Sequence, residues 1–327
     1  MPPRPSLRDP SHFVGPSLLH GQGWPWAREA TGTIQNRKLM NKYIKIALIV
    51  AGCAALGYCI AVGVKIGKIA ASRAHLTIVH VNDTHSHLEP EKSGDYVLQG
   101  GELERAAYVD SVRTADGAEN VLLLHAGDYS QGSSYFSEFG TPLMVQTLNA
   151  MKYDVVTLGN HEFDNGIEAL ADALSGLEMP CVVCNYDFSS IPLGPYVKPY
   201  AIVEKAGKKI GVVGVLCSLK SMVSPEISNR LAELDMVSSV QKYVDEIRPQ
   251  CDLVIALTHL GVEEHNPGDI LDDMLCAATR GIDIFVGGHS HTFMDKPMEG
   301  RNLDGKKVPI VQTGWMGVNM GEFHVAL

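Results

Sequence analysis

Five short polar clusters, each placed directly after or within an apolar run, constrain this 327-residue chain more than any other feature. They are Asp83-Thr84-His85, Gly127-Asp128, Gly159-Asn160-His161-Glu162, Thr258-His259 and Gly288-His289-Ser290-His291. Carboxylates, an amide and imidazoles are the ligand types that a pair of divalent metals takes in proteins. Hydrophobic strands that each end in such a residue predict a site built on loops at one edge of a sheet.

Strand-like and helix-like stretches alternate through the rest of the chain. Short apolar runs rich in β-branched residues predict strands at 76–81, 121–124, 154–158, 210–216, 253–257, 282–286, 309–312 and 322–326. Apolar residues at helical spacing predict helices at 101–112, 142–151 and 167–177. This alternation predicts an α/β protein with a mostly buried sheet structure.

The net charge limits the classes of partner. It is −10 at neutral pH, and no basic stripe offsets it, so we expect no nucleic-acid partner. An anionic phosphate substrate remains compatible with this charge, because two bound divalent cations would reverse the local field.

The N-terminal part of the chain differs in composition from the rest. Residues 1–39 are rich in Pro, Gly, Trp and Arg, which predicts a disordered or non-native extension. An uncharged apolar run at 46–64 follows, with basic residues on both sides, and about 19 such residues can just cross a bilayer. We therefore expect residues 40–72 to be a signal peptide or a membrane anchor, with lipidation of Cys53 as a third alternative. Each alternative predicts an exported protein that is membrane-anchored, periplasmic or extracellular.

From residue 76 onward the chain resembles the calcineurin-like metallophosphoesterases, and most closely the catalytic domain of the secreted 5′-nucleotidases. The superfamily pattern DxH, GD, GNH(E/D), H, GHxH is matched in order by the five clusters. More specific 5′-nucleotidase signatures run over 80–85, 127–132 and 158–166. The resemblance implies an α/β catalytic domain over residues 76–327, a four-layer α/β/β/α metallophosphoesterase sandwich with its metals at the loop edge.

The resemblance also implies two divalent metal ions and their ligands. One ion is assigned to Asp83, His85, Asp128 and His291, and the other to Asp128, Asn160, His259 and His289. Asp128 would bridge the two ions, because a carboxylate offers two oxygens. Oxygen and imidazole ligands fit Mn²⁺, Zn²⁺, Co²⁺ or Mg²⁺, and the sequence leaves this choice open.

Two residues of the third cluster region are implied to be catalytic rather than metal-binding. His161 would protonate the leaving oxygen or stabilise charge on the phosphoryl group. Asp164, three residues later, is placed to orient the His161 imidazole. For Glu162, the interaction of a carboxylate with a helix N-terminus is a sufficient structural explanation.

These residues predict hydrolysis of phosphate monoesters, foremost of nucleoside 5′-monophosphates to nucleoside and phosphate. A 2′,3′-cyclic nucleotide phosphodiesterase or a nucleotide pyrophosphatase would use the same dimetal chemistry. In a non-catalytic binding subunit we would expect some ligand residues or the catalytic histidine to be replaced, and here all are present. The family's usual second domain is not recognisable in the sequence, so we expect either a separately encoded C-terminal domain as partner or action on small phosphate esters alone.

Overall fold

The computed structural model describes residues 75–92 and 94–326. The extension predicted at 1–39 and the signal peptide or anchor predicted at 40–72, with its apolar run at 46–64, lie outside these residues. Among the helices of the described part, none combines the length and the apolar composition needed to cross a membrane.

The eight strands and three helices that the sequence predicts are present in that order, among fourteen strands and seven helices in the described residues. The strands are β1 His75–Val81, β2 Val121–His125, β3 Val155–Thr157, β4 Cys181–Val182, β5 Tyr186–Asp187, β6 Val197–Lys198, β7 Tyr200–Lys205, β8 Lys208–Leu216, β9 Ala232–Glu233, β10 Leu253–His259, β11 Ile284–Val286, β12 Met298–Arg301, β13 Lys307–Val311 and β14 Gly321–Ala326. The helices are α1 Glu102–Asp116, α2 Ser134–Phe139, α3 Thr141–Met151, α4 Ile167–Leu174, α5 Pro225–Ser228, α6 Met236–Ile247 and α7 Asp272–Ala278. Single 3₁₀ turns lie at Ala118–Asn120, His161–Phe163 and Arg248–Gln250.

The strands form two six-stranded mixed sheets. The first has the order β14-β1-β2-β3-β4-β6, in which only β14 runs antiparallel to its neighbour. The second has the order β12-β13-β11-β10-β8-β7, with β12 and β7 antiparallel at its edges. Parallel strands need crossover connections, and the helices provide most of them. The α/β fold predicted from the sequence is therefore confirmed.

The two sheets pack face to face, and the side-chain alternation of each strand shows how. In β1, Leu76 and Ile78 belong to a buried cluster that also holds Ile210 and Ile255 of the other sheet. Val79, on the opposite face of β1, belongs to the cluster that contains the helix residues. Central strands are thus apolar on both faces, as expected for strands covered on both sides.

Helices cover the outer faces of the sheets. In α6 the buried residues Met236, Val240, Val244 and Ile247 recur at helical spacing and form one apolar stripe. Its N-terminus is capped by Asp235, whose Oδ1 accepts a hydrogen bond from Ser238 N at 2.8 Å. The resulting order of layers is helix, sheet, sheet, helix. This arrangement brings the carboxyl ends of the parallel strands of both sheets to one edge.

Candidate metal centre

The predicted ligands lie just beyond the carboxyl ends of central strands. Asp83 follows β1, Asp128 follows β2 and Asn160 follows β3, all in the first sheet. From the second sheet, His259 ends β10 and His289 follows β11. Both sheets therefore contribute side chains to one cleft, as the sequence predicts for strands that each end in a polar cluster.

Five of the seven predicted ligands have a left-handed backbone conformation that residues other than glycine rarely adopt. They are Asp83, His85, Asp128, His289 and His291, with φ between +46° and +79°. Such conformations cost free energy, and they persist where the surrounding structure fixes the chain for a function. The concentration of strained residues at this edge independently marks it as a functional site.

Three of the ligands form what we call the outer group: Asp83, His85 and His291. Their potential ligand atoms all lie within 4.8 Å of one another. The Nε2 atoms of His85 and His291 are 3.1 Å apart, and His291 Nε2 is 3.3 Å from Asp83 Oδ1. Two imidazole nitrogens that face each other beside a carboxylate oxygen suit a shared cation.

Asp128, His259 and His289 form what we call the inner group. Their ligand atoms also lie within 4.8 Å of one another, and all three residues are buried. His259 Nε2 is 3.1 Å from Asp128 Oδ2. The two groups adjoin, because Asp128 Oδ2 is 4.0 Å from His85 Nε2 of the outer group.

The donor atoms of both groups fit a pair of divalent cations. Among the described residues, neither Asp83 Oδ1 nor His289 Nε2 has a hydrogen-bond partner, although both atoms are buried. An unpaired buried carboxylate oxygen is costly, and a cation would satisfy it. Carboxylate, amide and imidazole donors of this kind suit Mn²⁺, Zn²⁺, Co²⁺ or Mg²⁺.

The ionisation of the inner group reflects the same need for positive charge. Burial opposes the charged form of His259, yet the carboxylates of Asp128 and Asp83 raise the pKa of this histidine to about 10. Burial and the neighbouring His259 lower the pKa of His289 to about 3. The two buried carboxylates thus favour positive charge at this position, which divalent cations would supply.

Further hydrogen bonds orient the ligands from behind. The second oxygen of Asp83, Oδ2, accepts from Asn82 Nδ2 at 2.6 Å and from His289 N at 2.9 Å. Asn82 is itself held by Thr313, whose N and Oγ1 both donate to its Oδ1 at 2.8 Å. His259 Nδ1 lies 2.7 Å from Ala126 O, so it donates there and leaves Nε2 for the site.

His161 and Asp164 lie at the rim of the cleft. His161 Nδ1 and Asp164 Oδ2 are 2.9 Å apart, and the side chain of His161 is 32% exposed. The hydrogen bond that His161 donates to the Asp164 carboxylate is the main cause that raises the pKa of His161 to about 9. The His161 ring centroid is 5.3 Å from that of His85, so its free edge can reach a substrate bound beside the outer group.

Asn160 is buried in the loop next to Asp128. The flanking Gly159 packs so tightly that a Cβ there would lie 2.2 Å from Asp128 Oδ1. On the other flank, His161 N donates to that same oxygen at 2.9 Å. Both neighbours of Asn160 in the chain thus contact the Asp128 carboxylate or pack against it.

Sequence reasoning missed the role of Glu162 and the presence of Asp272. Glu162 is fully buried and accepts hydrogen bonds from two different loops, so a helix dipole does not account for it, and its turn is only three residues long. Asp272 is also fully buried, and neither carboxylate oxygen has a hydrogen-bond partner within the described chain. The Trp315 ring stacks on His291, with centroids 5.1 Å apart and planes 9° apart. For Glu162, the only signal in the sequence was its position next to the glycine-rich ligand loops.

Residues 76–293 match the family model of the calcineurin-like phosphoesterases. The chain belongs to this family.

Individual relatives show which proteins of known function or structure the chain is similar to. The human 5′-nucleotidase is 32% identical over 281 residues, which cover 78% of this chain and 47% of the relative. Among solved structures, a 5′-nucleotidase precursor from Thermus thermophilus has a TM-score of 0.69 and 34% identity, over 77% of this chain and 51% of that one. An NAD nucleotidase from Haemophilus influenzae has a TM-score of 0.67 and 29% identity, over 76% and 47%. The chain spans about half the length of the curated relatives it matches.

Proposed function

We propose that this chain hydrolyses phosphate monoesters with two divalent cations, and that nucleoside 5′-monophosphates are its main substrates. The observation that carries the proposal is the pair of adjoining ligand groups around Asp128, with His161 at their rim. The similarity to 5′-nucleotidases supports the choice of nucleotide substrate.

Each residue has a proposed part in binding. Asp83, His85, His291 and Asp128 would hold one cation, and Asp128, Asn160, His259 and His289 would hold the other. When bound, such a pair supplies a nucleophilic water at neutral pH and offsets the charge of the phosphoryl oxygens.

The proton needed by the leaving group would come from His161. Its Nδ1 is engaged by Asp164, which leaves Nε2 as the outward donor. A leaving nucleoside oxygen that collects this proton departs as a neutral alcohol, which lowers the barrier to P–O cleavage. Asp164 would hold the ring in this orientation and stabilise its protonated form.

The remaining expectations are proposals that rest on the sequence. We place the catalytic domain at residues 76–327, and we propose that the apolar run at 46–64 directs export or anchors the chain in a membrane. A separately encoded C-terminal 5′-nucleotidase domain is the proposed partner. Co-purification with the product of a neighbouring gene of that kind would support the partner.

A substrate panel tests the reaction. AMP, p-nitrophenyl phosphate, 2′,3′-cyclic AMP and NAD are compared with Mn²⁺ added and after removal of metal by a chelator. We expect Mn²⁺-dependent release of phosphate from AMP, and loss of this activity in excess chelator. Faster cleavage of the cyclic nucleotide or of NAD would favour the phosphodiesterase or pyrophosphatase alternative, and full activity without metal would reject the mechanism.

A further inference from the structure

Glu162 is a buried carboxylate on which two ligand-bearing loops converge. Its Oε2 accepts hydrogen bonds from Asp128 N at 2.9 Å and from Gly159 N at 2.6 Å. Its Oε1 accepts from Ser130 N at 2.9 Å. The side chain is fully buried, so water does not compete for these donors. One carboxylate thus joins the loop at 127–130 to the loop at 159–161.

The conformation of these loops needs such support. Asp128 has a φ of +54°, which is strained for a residue with a Cβ. The loops touch at Gly159, where any Cβ would lie 2.2 Å from Asp128 Oδ1. Like charges on Asp128 and Glu162 would repel in this space, and the N–H groups between them offset that repulsion. Without the Glu162 acceptors, three buried N–H groups would lack partners.

The link between the two loops affects the position of the metal ligands. Asp128 Oδ1 is fixed by His161 N at 2.9 Å, which turns Oδ2 toward His259 Nε2 at 3.1 Å. Asn160 lies in the same loop, between Gly159 and His161. Asp128 and Asn160 can therefore keep their relative positions only while the two loops stay joined.

We propose that Glu162 is a positioning residue that sets the metal affinity of the site by fixing Asp128 and Asn160 relative to each other. The inference rests on the proposed dimetal function. Glu162 lies outside both ligand groups, and its two oxygens accept hydrogen bonds from the backbone of the ligand loops. Groups that orient a ligand from behind change metal affinity by roughly 10–100-fold when they are replaced.

Glu162→Gln is the informative variant, because it keeps the size of the side chain. Its amide offers one oxygen to the loops, and it turns an NH₂ group toward an N–H donor that then has no acceptor. Glu178→Gln is the matched control, since Glu178 is an exposed glutamate at the end of the segment after α4. Binding of Mn²⁺ to the full chain is measured by calorimetry for all three proteins, and Tm is measured in excess EDTA.

We expect Glu162→Gln to bind Mn²⁺ about 10–100-fold more weakly than the wild type, with Glu178→Gln unchanged. The activity that Glu162→Gln loses at low Mn²⁺ should return at high Mn²⁺, since Glu162 does not touch the substrate. A purely structural role would instead lower Tm in EDTA and leave the affinity for Mn²⁺ unchanged, which would overturn the inference.

A second variant covers the case in which Glu162→Gln fails to fold. Glu162→Asp keeps the charge but is one methylene shorter, so it can reach only one of the two loops. A weaker affinity for Mn²⁺ in Glu162→Asp supports positioning, and wild-type affinity contradicts it. If the wild-type protein binds no Mn²⁺, the proposed function fails together with the inference, whereas equal binding by wild type and variants rejects the inference alone.

Discussion

The outer and inner groups have the same composition, one carboxylate and two imidazoles, but they differ in how the fold holds them. The side chains of His259 and Asp128 in the inner group are 0% and 2% exposed. In the outer group, the side chain of His291 is 36% exposed. Its ring is held from one side by stacking on Trp315 rather than by burial.

The difference is clearest for one histidine of each group. His259 is the last residue of β10 and shares the rigidity of the sheet. His291 lies five residues beyond the end of β11, and its side chain is partly open to solvent. We therefore expect the inner group to bind its cation more tightly and to release it more slowly than the outer group.

The largest effect is expected at Asp128, which both groups need. Asp128→Ala removes the carboxylate that would bind both cations, so bound metal and activity should fall together. The loss of activity should exceed the roughly 10–100-fold change typical of residues that only orient a ligand. Metal content by elemental analysis and kcat with AMP check this, with the exposed Asp245→Ala on α6 as control. Retention of both cations would refute the shared role.

His161 should separate chemistry from metal binding. His161→Ala should lower kcat by roughly 10²–10⁴-fold, the range for a lost general acid or base, while both cations stay bound. Asp164→Asn should lower kcat less, because it removes the charge that stabilises the protonated His161 imidazole but keeps an oxygen that can accept from Nδ1. If His161→Ala loses metal, His161 belongs to the outer group, and the two groups no longer have the same composition.

His289 and His291 offer a matched test of the two groups, since they lie two residues apart on one loop. His291→Ala should lose only the weaker cation, which leaves about one Mn²⁺ per chain. His289→Ala should weaken the tighter site and lower Tm in the presence of Mn²⁺. Stoichiometry by equilibrium dialysis, together with Tm, distinguishes the variants. The opposite pattern would show that exposure does not decide which cation is held more tightly.

Much of this arrangement could be predicted from the sequence, because each signal is local. The apolar runs predicted β1, β2, β8 and β10 nearly to the residue, since strands buried on both faces are almost continuously apolar. The short strands β4, β5, β6 and β9 carried no such signal at two residues each. They are defined by partners distant in the chain.

The site also contains residues that could be predicted from the sequence and residues that could not. The spacing of Asp83 and His85, and of His289 and His291, was visible along the chain. The role of Glu162 was not, because its partners are backbone N–H groups up to 34 residues away, and a backbone donor leaves no mark on the sequence. Asp272 was missed because the segment that packs against its carboxylate, at Gly287, is distant in the sequence.

Asp272 carries the smallest expected effect, on stability rather than on activity, and it tests how rigid the inner side of the site is. A Cβ at Gly287, two residues before His289, would lie 2.3 Å from Asp272 Oδ2, so the carboxylate packs against the backbone of the segment that leads to His289. Burial raises the pKa of Asp272 from its usual 3.8 to about 7. A folded pKa above the unfolded one means that the protonated form stabilises the fold below pH 4, and that this stabilisation is lost as pH rises toward 7.

Asp272→Asn mimics the protonated form and does not titrate. Its Tm in excess EDTA should therefore equal that of the wild type near pH 4, exceed it increasingly up to pH 7, and keep a constant advantage above pH 7. The advantage at pH 8 should be at least about 2 °C, since a domain of this size shifts by roughly 2–4 °C per kcal/mol. The neighbouring exposed Asp273→Asn serves as control and should show no such dependence. A pH-independent difference would mean that the fold does not raise the pKa of Asp272 above its unfolded value.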